Sequence, residues 1–271
     1  MTHRIFVDGQ EGTTGLQIQA LLARRPDLEL LSIDPARRKD RAERARLLNE
    51  ADVAFLCLPD DAARESVALV TNPATCIIDA STAHRIAPDW VYGLPELAPG
   101  QREALRKAKR IANPGCHATA FILLVRPLID AGLLPASALL SATSLTGYSG
   151  GGKKMIEQYQ AGGDDELVAP RPYALSLAHK HVPEMMAHTG LVARPLFVPV
   201  VANFYKGLAV TIPLHLAQLA PGSDGAAVHR ALSAHYAQER YVRVLPHGAA
   251  TGGHDGYFDV QGCNDTNRCD I

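Results

Sequence analysis

The sequence predicts an α/β protein, with a Rossmann-like parallel-sheet domain followed by an α+β domain whose sheet is mixed or antiparallel. Three observations carry this reading. Short apolar strands alternate with amphipathic helices up to residue 115, a glycine-rich turn follows the first strand, and the alternation is lost beyond Ala118.

The elements run in order along the chain. "RIFVDG" (residues 4–9) is a strand, and "TGLQIQALLARR" is a helix in which Leu16, Ala20 and Ala23 recur at helical spacing. "LELLSID" is the second strand. A charged helix over 41–49 precedes "DVAFLCLP", a near-continuous apolar strand of the kind buried on both faces. "DAARESVALV" is helical, "TCIIDAS" a strand, "PGQREALRKA" a helix and "RIAN" the last strand of this series. The second part begins with a long apolar helix interrupted at Pro127. "ALLSATSLTG", "PLFVPVVANF", "GLAVTIPLHL" and "YVRVLP" then read as strands, with a helix over roughly 225–238. The expected boundary divides residues 1–115, a dinucleotide-binding domain, from residues 116–271, a catalytic domain.

Composition excludes several classes of function. The 271 residues carry 27 basic and 28 acidic side chains, a net charge of −1, so no global field favours nucleic acid or an anionic membrane. No apolar run is long enough to span a bilayer, and Asp8 breaks the N-terminal run before it resembles a secretory signal. Five cysteines, an odd and sparse set, argue against a disulfide framework and for a reducing cytoplasm.

Gly9, Gly12 and Gly15, with Thr13 and Thr14 between them, form a glycine turn between a strand and a helix. That context brings a pyrophosphate to a positive helix end, as a nucleotide cradle requires; a tight structural turn is the bland alternative. Asp34 stands where a ribose-binding acid of an NAD site belongs. Ser32 with Arg37, Arg38 and Lys39 suits a 2′-phosphate instead, so NADP is expected, although a solvated helix start is the commoner reading of such charges.

Cys116 follows the turn Asn113-Pro114-Gly115 and opens an apolar helix, where unpaired N–H groups favour a thiolate. Cys57 and Cys76 lie inside apolar strands and read as small buried hydrophobes. A thiolate beside a nicotinamide implies acyl transfer to sulfur with hydride reduction of the thioester. Such chemistry needs a base, and His179 and His181, two apart on an expected extended segment, face one side, with Glu184 placed to orient either. No third ligand has convincing metal spacing, and no metal is expected. "GYSGGGKK" mimics a P-loop, but Lys154 replaces the hydroxyl residue that would hold magnesium. Lys153, Arg85 and Arg171 are candidate anchors for substrate anions, each equally readable as a surface charge.

Strings spread over nearly the whole chain resemble the short form of N-acetyl-gamma-glutamyl-phosphate reductases. They are Gly9–Gly15, "LCLPDDAA", "DASTAHR", "YGLPEL", "NPGCHAT", "GYSGGGKKMI", "HKHVPE" and "NFYKGL". The resemblance implies NADP, a Cys116 nucleophile, and a catalytic or substrate-positioning histidine in "HKHVPE". It also implies a two-domain fold related to aspartate-semialdehyde and glyceraldehyde-phosphate dehydrogenases, a homo-oligomer (dimer or tetramer) and a cytoplasmic biosynthetic role. Members continue beyond the last strand into a Leu-Asp-Asn-Leu-Gly-Lys-Gly-like segment and a return helix; this sequence stops at "TNRCDI". The implied reaction reduces N-acetyl-glutamyl 5-phosphate to the 5-semialdehyde and phosphate in arginine biosynthesis. The alternatives are a sibling acyl-phosphate reductase acting on aspartyl phosphate, a non-catalytic NADP-binding truncated product, and a cysteine hydrolase. The last leaves the glycine turn unexplained.

Overall fold

Strands without a polar face need cover on both sides, and alternation with helices supplies it. In the computed structural model, which describes residues 2–9, 13–163, 165–247 and 257–271, one compact unit comprises Met1–Pro95 and Gly100–Pro114. Its elements are β1 (His3–Asp8), α1 (Thr13–Leu22), β2 (Leu28–Leu31), α2 (Arg41–Glu50), β3 (Val53–Leu56), α3 (Asp60–Leu69), β4 (Cys76–Asp79), β5 (Val91–Tyr92), α4 (Gln101–Lys107) and β6 (Arg110–Ala112). All six strands pair in parallel, in the order β2-β1-β3-β4-β6-β5. Phe6, Leu48, Ala54, Leu56, Ala63 and Ile77 form its core. The two-residue β5, too short to leave a pattern in the sequence, adds the last edge.

Charges in this unit are tied down locally. Asp40 caps α2 by accepting from Ala42 N and Glu43 N. Asp8, buried at the end of β1, accepts from Arg44 Nη2 at 2.9 Å and Ser66 Oγ at 2.8 Å, which joins the first strand to α2 and α3. Asp79, fully buried, is held by Ser81 Oγ and His84 Nδ1, each at 2.6 Å, and the His84 ring stacks on Trp90.

The second unit, Glu96–Pro99 with Gly115–Ile271, is built on α5 (Cys116–Asp130). Then come β7 (Ser141–Gly147), α6 (Lys153–Ala161), β8 (Arg171–Pro172), α7 (Val182–Thr189), β9 (Leu196–Ala202), β10 (Leu208–Thr211), α8 (Gly225–His235), β11 (Val242–Arg243) and β12 (Cys269–Asp270). Its main sheet, ordered β10-β7-β9-β8, is mixed: β7 and β9 run parallel, with antiparallel neighbours on both sides. Alternate residues of β7 and β9 (Ala142, Ser144, Phe197, Val201) are buried on the inner face. Among the described residues no helix is long and apolar enough to cross a membrane.

The sequence expectation of a break at Pro127 is corrected, because α5 continues through it to Asp130. Proline has no N–H to offer the carbonyl four residues back, which is that of Leu123. The Tyr236 hydroxyl donates to Leu123 O at 2.7 Å and satisfies it. Helices α6 and α7 also exceed the expectation of a strand-rich second part.

Removing that hydroxyl leaves a buried carbonyl unpaired, so Tyr236→Phe lowers unfolding free energy by about 1–3 kcal/mol in urea titrations. In a Pro127→Ala background, where residue 127 regains its N–H, the same change costs measurably less. Equal costs in the two backgrounds would refute the pairing.

Candidate functional site

Cys116 is the first residue of α5, exposed, behind Gly115 in extended conformation (φ −75°, ψ 142°). Gly115 at the N-cap has no side chain to cap this helix, and the sulfur sits on its first residue, at the positive end. The loop is fixed from below. Gly115 N donates to Glu184 Oε2 at 3.1 Å, while Gly115 O accepts from Thr119 N and Thr119 Oγ1. Glu184 lies in the first turn of α7 with its side chain 2% exposed, and its other oxygen is 3.9 Å from His181 Nε2. Cys57 and Cys76, expected to be buried, are only half-buried; partial burial pushes the Cys57 thiol up to about 11 and raises that of Cys76 as well.

Three imidazoles gather behind the cysteine. His117 is 4% exposed; its Nδ1 meets Ser144 Oγ at 2.8 Å and its Nε2 meets the Tyr173 hydroxyl at 3.1 Å. Its ring centroid lies 5.3 Å from that of His179 and 5.4 Å from that of His181, and Phe197 packs against it. Burial lowers His117 to about 4, so the ring is neutral at pH 7. His179 is lowered too, by burial and then by the charge of Lys180. Burial, and after it the charge of Cys116, push the Tyr173 phenol up to about 12.

The two predicted histidines do come together, but not on an extended segment. His181 caps α7 in right-handed helical conformation and donates its backbone N–H to His179 Nδ1 at 3.1 Å. The two rings meet edge to face at 4.7 Å. Ala174 (φ 53°) and Leu177 (φ 59°) are left-handed in this loop, a conformation costing non-glycine residues roughly 1–2 kcal/mol each. Such strain persists only where flanking structure over-determines it, here β8 on one side and α7 on the other.

Arg171, on β8, donates to the Tyr159 hydroxyl at 3.1 Å and packs over that ring, in the same aromatic cluster as Tyr173. Lys153 is exposed on α6, with Glu157 Oε1 3.8 Å from its Nζ. Arg85 belongs to the first unit, where its buried guanidinium donates to Asn113 O and Ala80 O and ties together the chain beyond β6 and β4. Among the described residues no set of three His, Cys, Asp or Glu is arranged to hold a metal. His117 and Tyr173, absent from the predicted site, had one sequence signal: His117 adjoins Cys116, and Tyr173 lies six residues before His179.

In the first unit the test is whether the residues fit a dinucleotide. Gly9 has φ +87°, and a Cβ there would lie 2.3 Å from Cys57 O, so only glycine fits where the β1 turn meets the end of β3. Gly15 is buried within α1; Gly12 and the side chains of Thr13 and Thr14 lie outside the described residues. Ser32, Arg38 and Lys39 are exposed just beyond β2, as a phosphate monoester needs. Arg37 is drawn to Asp40 at 3.0 Å and Glu43 at 3.2 Å, and Asp34 caps a short turn through Ala36 N. The set fits a phosphorylated ribose.

Family comparisons agree with this architecture. Residues 36–108 match the family described as "Semialdehyde dehydrogenase, NAD binding domain", and residues 116–271 the one described as "Semialdehyde dehydrogenase, dimerisation domain". An aspartate semialdehyde dehydrogenase from Francisella tularensis shares the fold at a TM-score of 0.68, with 14% identity, over 100% of this chain and 89% of that one. The N-acetyl-gamma-glutamyl-phosphate reductase of Chelativorans sp. (strain BNC1) is 49% identical over 98% of this chain and 86% of its own length. That of Mesorhizobium japonicum is 51% identical over 91% and 80%. With identity near one half sustained across almost its whole length, this chain belongs to the N-acetyl-gamma-glutamyl-phosphate reductase family.

Proposed function

We propose that the protein reduces N-acetyl-glutamyl 5-phosphate to N-acetyl-L-glutamate 5-semialdehyde and phosphate, the arginine-biosynthetic reaction for which its relatives are named, through a thioester on Cys116. The observation that carries this reading is an exposed cysteine opening α5 with His117, His179, His181 and Tyr173 gathered behind it. The cofactor, NADPH, supplies the hydride, and Gly9, Gly15, Ser32 and Arg38 are the described residues suited to hold it.

Sulfur attacks the acyl-phosphate carbonyl, and the C–O bond to phosphate breaks as the thioester forms. The helix start favours the anionic sulfur that attacks and that later departs. His179 engages its Nδ1 lone pair with the His181 amide, so its neutral ring carries the proton on Nε2 and serves as a donor toward the acyl phosphate. His181, beside the Glu184 carboxylate, is the ring suited to hold a positive charge when the thiol gives up its proton. Arg171 anchors a substrate carboxylate or phosphate oxygen.

The protein acts as a homo-oligomer, in keeping with the dimerisation-domain description of its second half. A second copy covers the outer face of the main sheet, where Ser141, Thr143 and Leu145 of β7 lie beside Leu196, Val198 and Val200 of β9. Leu196 is 53% exposed there.

Three outcomes are expected. Followed as NADPH formation from the semialdehyde and phosphate, turnover falls at least about 10³-fold in Cys116→Ser. A Cys116→Ser enzyme that keeps its rate sinks the mechanism, faster turnover of an aspartyl substrate favours the sibling reading, and NADP binding without any turnover favours a non-catalytic protein. Leu196→Glu with Val198→Glu yields monomers in sedimentation; an unchanged oligomer removes this face as the interface. Because the unfolded chain binds a proton on His117 near pH 6.5 that the folded chain refuses until about 4, stability falls as pH drops through that window. His117→Gln flattens this slope in urea titrations at pH 7 and pH 5, and a variant with the parental slope contradicts the assignment.

A further inference from the structure

The reaction steps above leave the line Ser144, His117, Tyr173 without a role. Ser144 is fully buried in β7, and a serine at an inner sheet position must find a partner for its hydroxyl. It finds His117 Nδ1 at 2.8 Å, and the other ring nitrogen meets the Tyr173 hydroxyl at 3.1 Å. Both nitrogens of a buried imidazole are thus committed, and the ring is wedged against Phe197. His117 therefore has no atom left for substrate, although it adjoins Cys116. What it does is fix where Tyr173 points. The tyrosine is held from its main chain as well: its N–H donates to Pro199 O at 3.0 Å, continuing the β8–β9 pairing, and Ala174 turns the chain away immediately afterwards.

We propose that Tyr173 is the donor to the carbonyl oxygen of the acyl group on Cys116, and that Ser144 and His117 are positioning residues that orient its hydroxyl. The inference rests on the Cys116 thioester reading. A hydride supplied by the bound nicotinamide would form the C–H bond and send the carbonyl π pair onto oxygen. That oxygen then carries the negative charge and accepts a hydrogen bond from the phenol. When the oxygen pair re-forms the C=O bond, the C–S bond breaks and the thiolate leaves, with no net proton taken from tyrosine. Orientation is set by the neutral ring: Ser144 Oγ donates to His117 Nδ1, and His117 Nε2–H donates to the Tyr173 oxygen. The phenolic proton is left for the substrate. Burial, and after it the nearby cysteine charge, keep that phenol protonated throughout the working pH range.

The test is a double-mutant cycle on kcat. Tyr173→Phe is expected to lower kcat by about 10²-fold, with KM changed less than about threefold, because the lost contact strengthens only as charge develops on oxygen. Ser144→Ala is expected to lower kcat by about tenfold with the same split. The double variant should be no slower than Tyr173→Phe alone, since Ser144 acts only through the tyrosine. Iodoacetamide labelling of Cys116 at the parental rate in each variant shows that the site remains assembled. Tyr173→Phe turnover at the parental rate, or losses that multiply in the double variant, overturn the inference. Should Tyr173→Phe fail to fold, Ser144→Ala decides alone: unchanged kcat rejects the proposal. Cys116→Ser run alongside separates the two claims. Its activity would remove the thioester reading, whereas an inactive Cys116→Ser with a fully active Tyr173→Phe removes only the role of tyrosine.

Discussion

The geometry of the second unit depends on one buried carboxylate meeting two helix starts. Glu184 sits in the first turn of α7, where a negative charge offsets that helix's positive end, and its Oε2 accepts the N–H of Gly115, the residue that caps α5. Taking such a group from water is costly, and the cost is offset only if its oxygens are engaged. One oxygen engages the Gly115 amide and the other faces His181. The loop before Cys116 and the loop carrying the two histidines are therefore fastened to the same side chain. Displacing Glu184 would strand an amide at the start of α5 and remove the acidic neighbour of His181 at once. A single carboxylate thus couples the placement of the sulfur to the electrostatics of its nearest histidine pair.

Much of this was legible in the sequence, for identifiable reasons. Apolar strands such as "VAFL" and "CIID" must be covered on both faces, which leaves little choice but a parallel sheet with alternating helices. Cys116 stands out because Asn-Pro-Gly is turn chemistry directly ahead of an apolar helix. The features that escaped were set by partners distant in sequence. Pro127 reads as a break because the hydroxyl that replaces its missing N–H belongs to Tyr236, beyond any local window. "HKHVPE" reads as extended because proline and alternating histidines suggest it, whereas Pro183 is tolerated in the first turn of α7. Ser144 is one more hydroxyl in "SATSLTG" until the register of the sheet turns it inward. Arg85 reads as an anion anchor or a surface charge, and the fold adds what no local window shows, that its guanidinium also donates to the Ala80 and Asn113 carbonyls.

The same packing decides how protons are shared among the histidines. Three rings at centroid separations between 4.7 and 5.4 Å, in a partly dehydrated cluster, cannot all carry charge, since each protonated ring raises the cost of charging its neighbour. His117 has no acidic partner among the described residues and both of its nitrogens are occupied by neutral hydroxyls, so it stays neutral and works as a fixed spacer. Burial, and after it the charge of the neighbouring Lys180, oppose a charge on the His179 ring. Of the three rings, His181 is the one with a carboxylate beside it, Glu184 Oε1 lying 3.9 Å from its Nε2. Three residues of the same type are thereby given three different electrostatic surroundings. Their differences arise from where β7, β8 and α7 place the neighbouring oxygens, not from the imidazoles themselves.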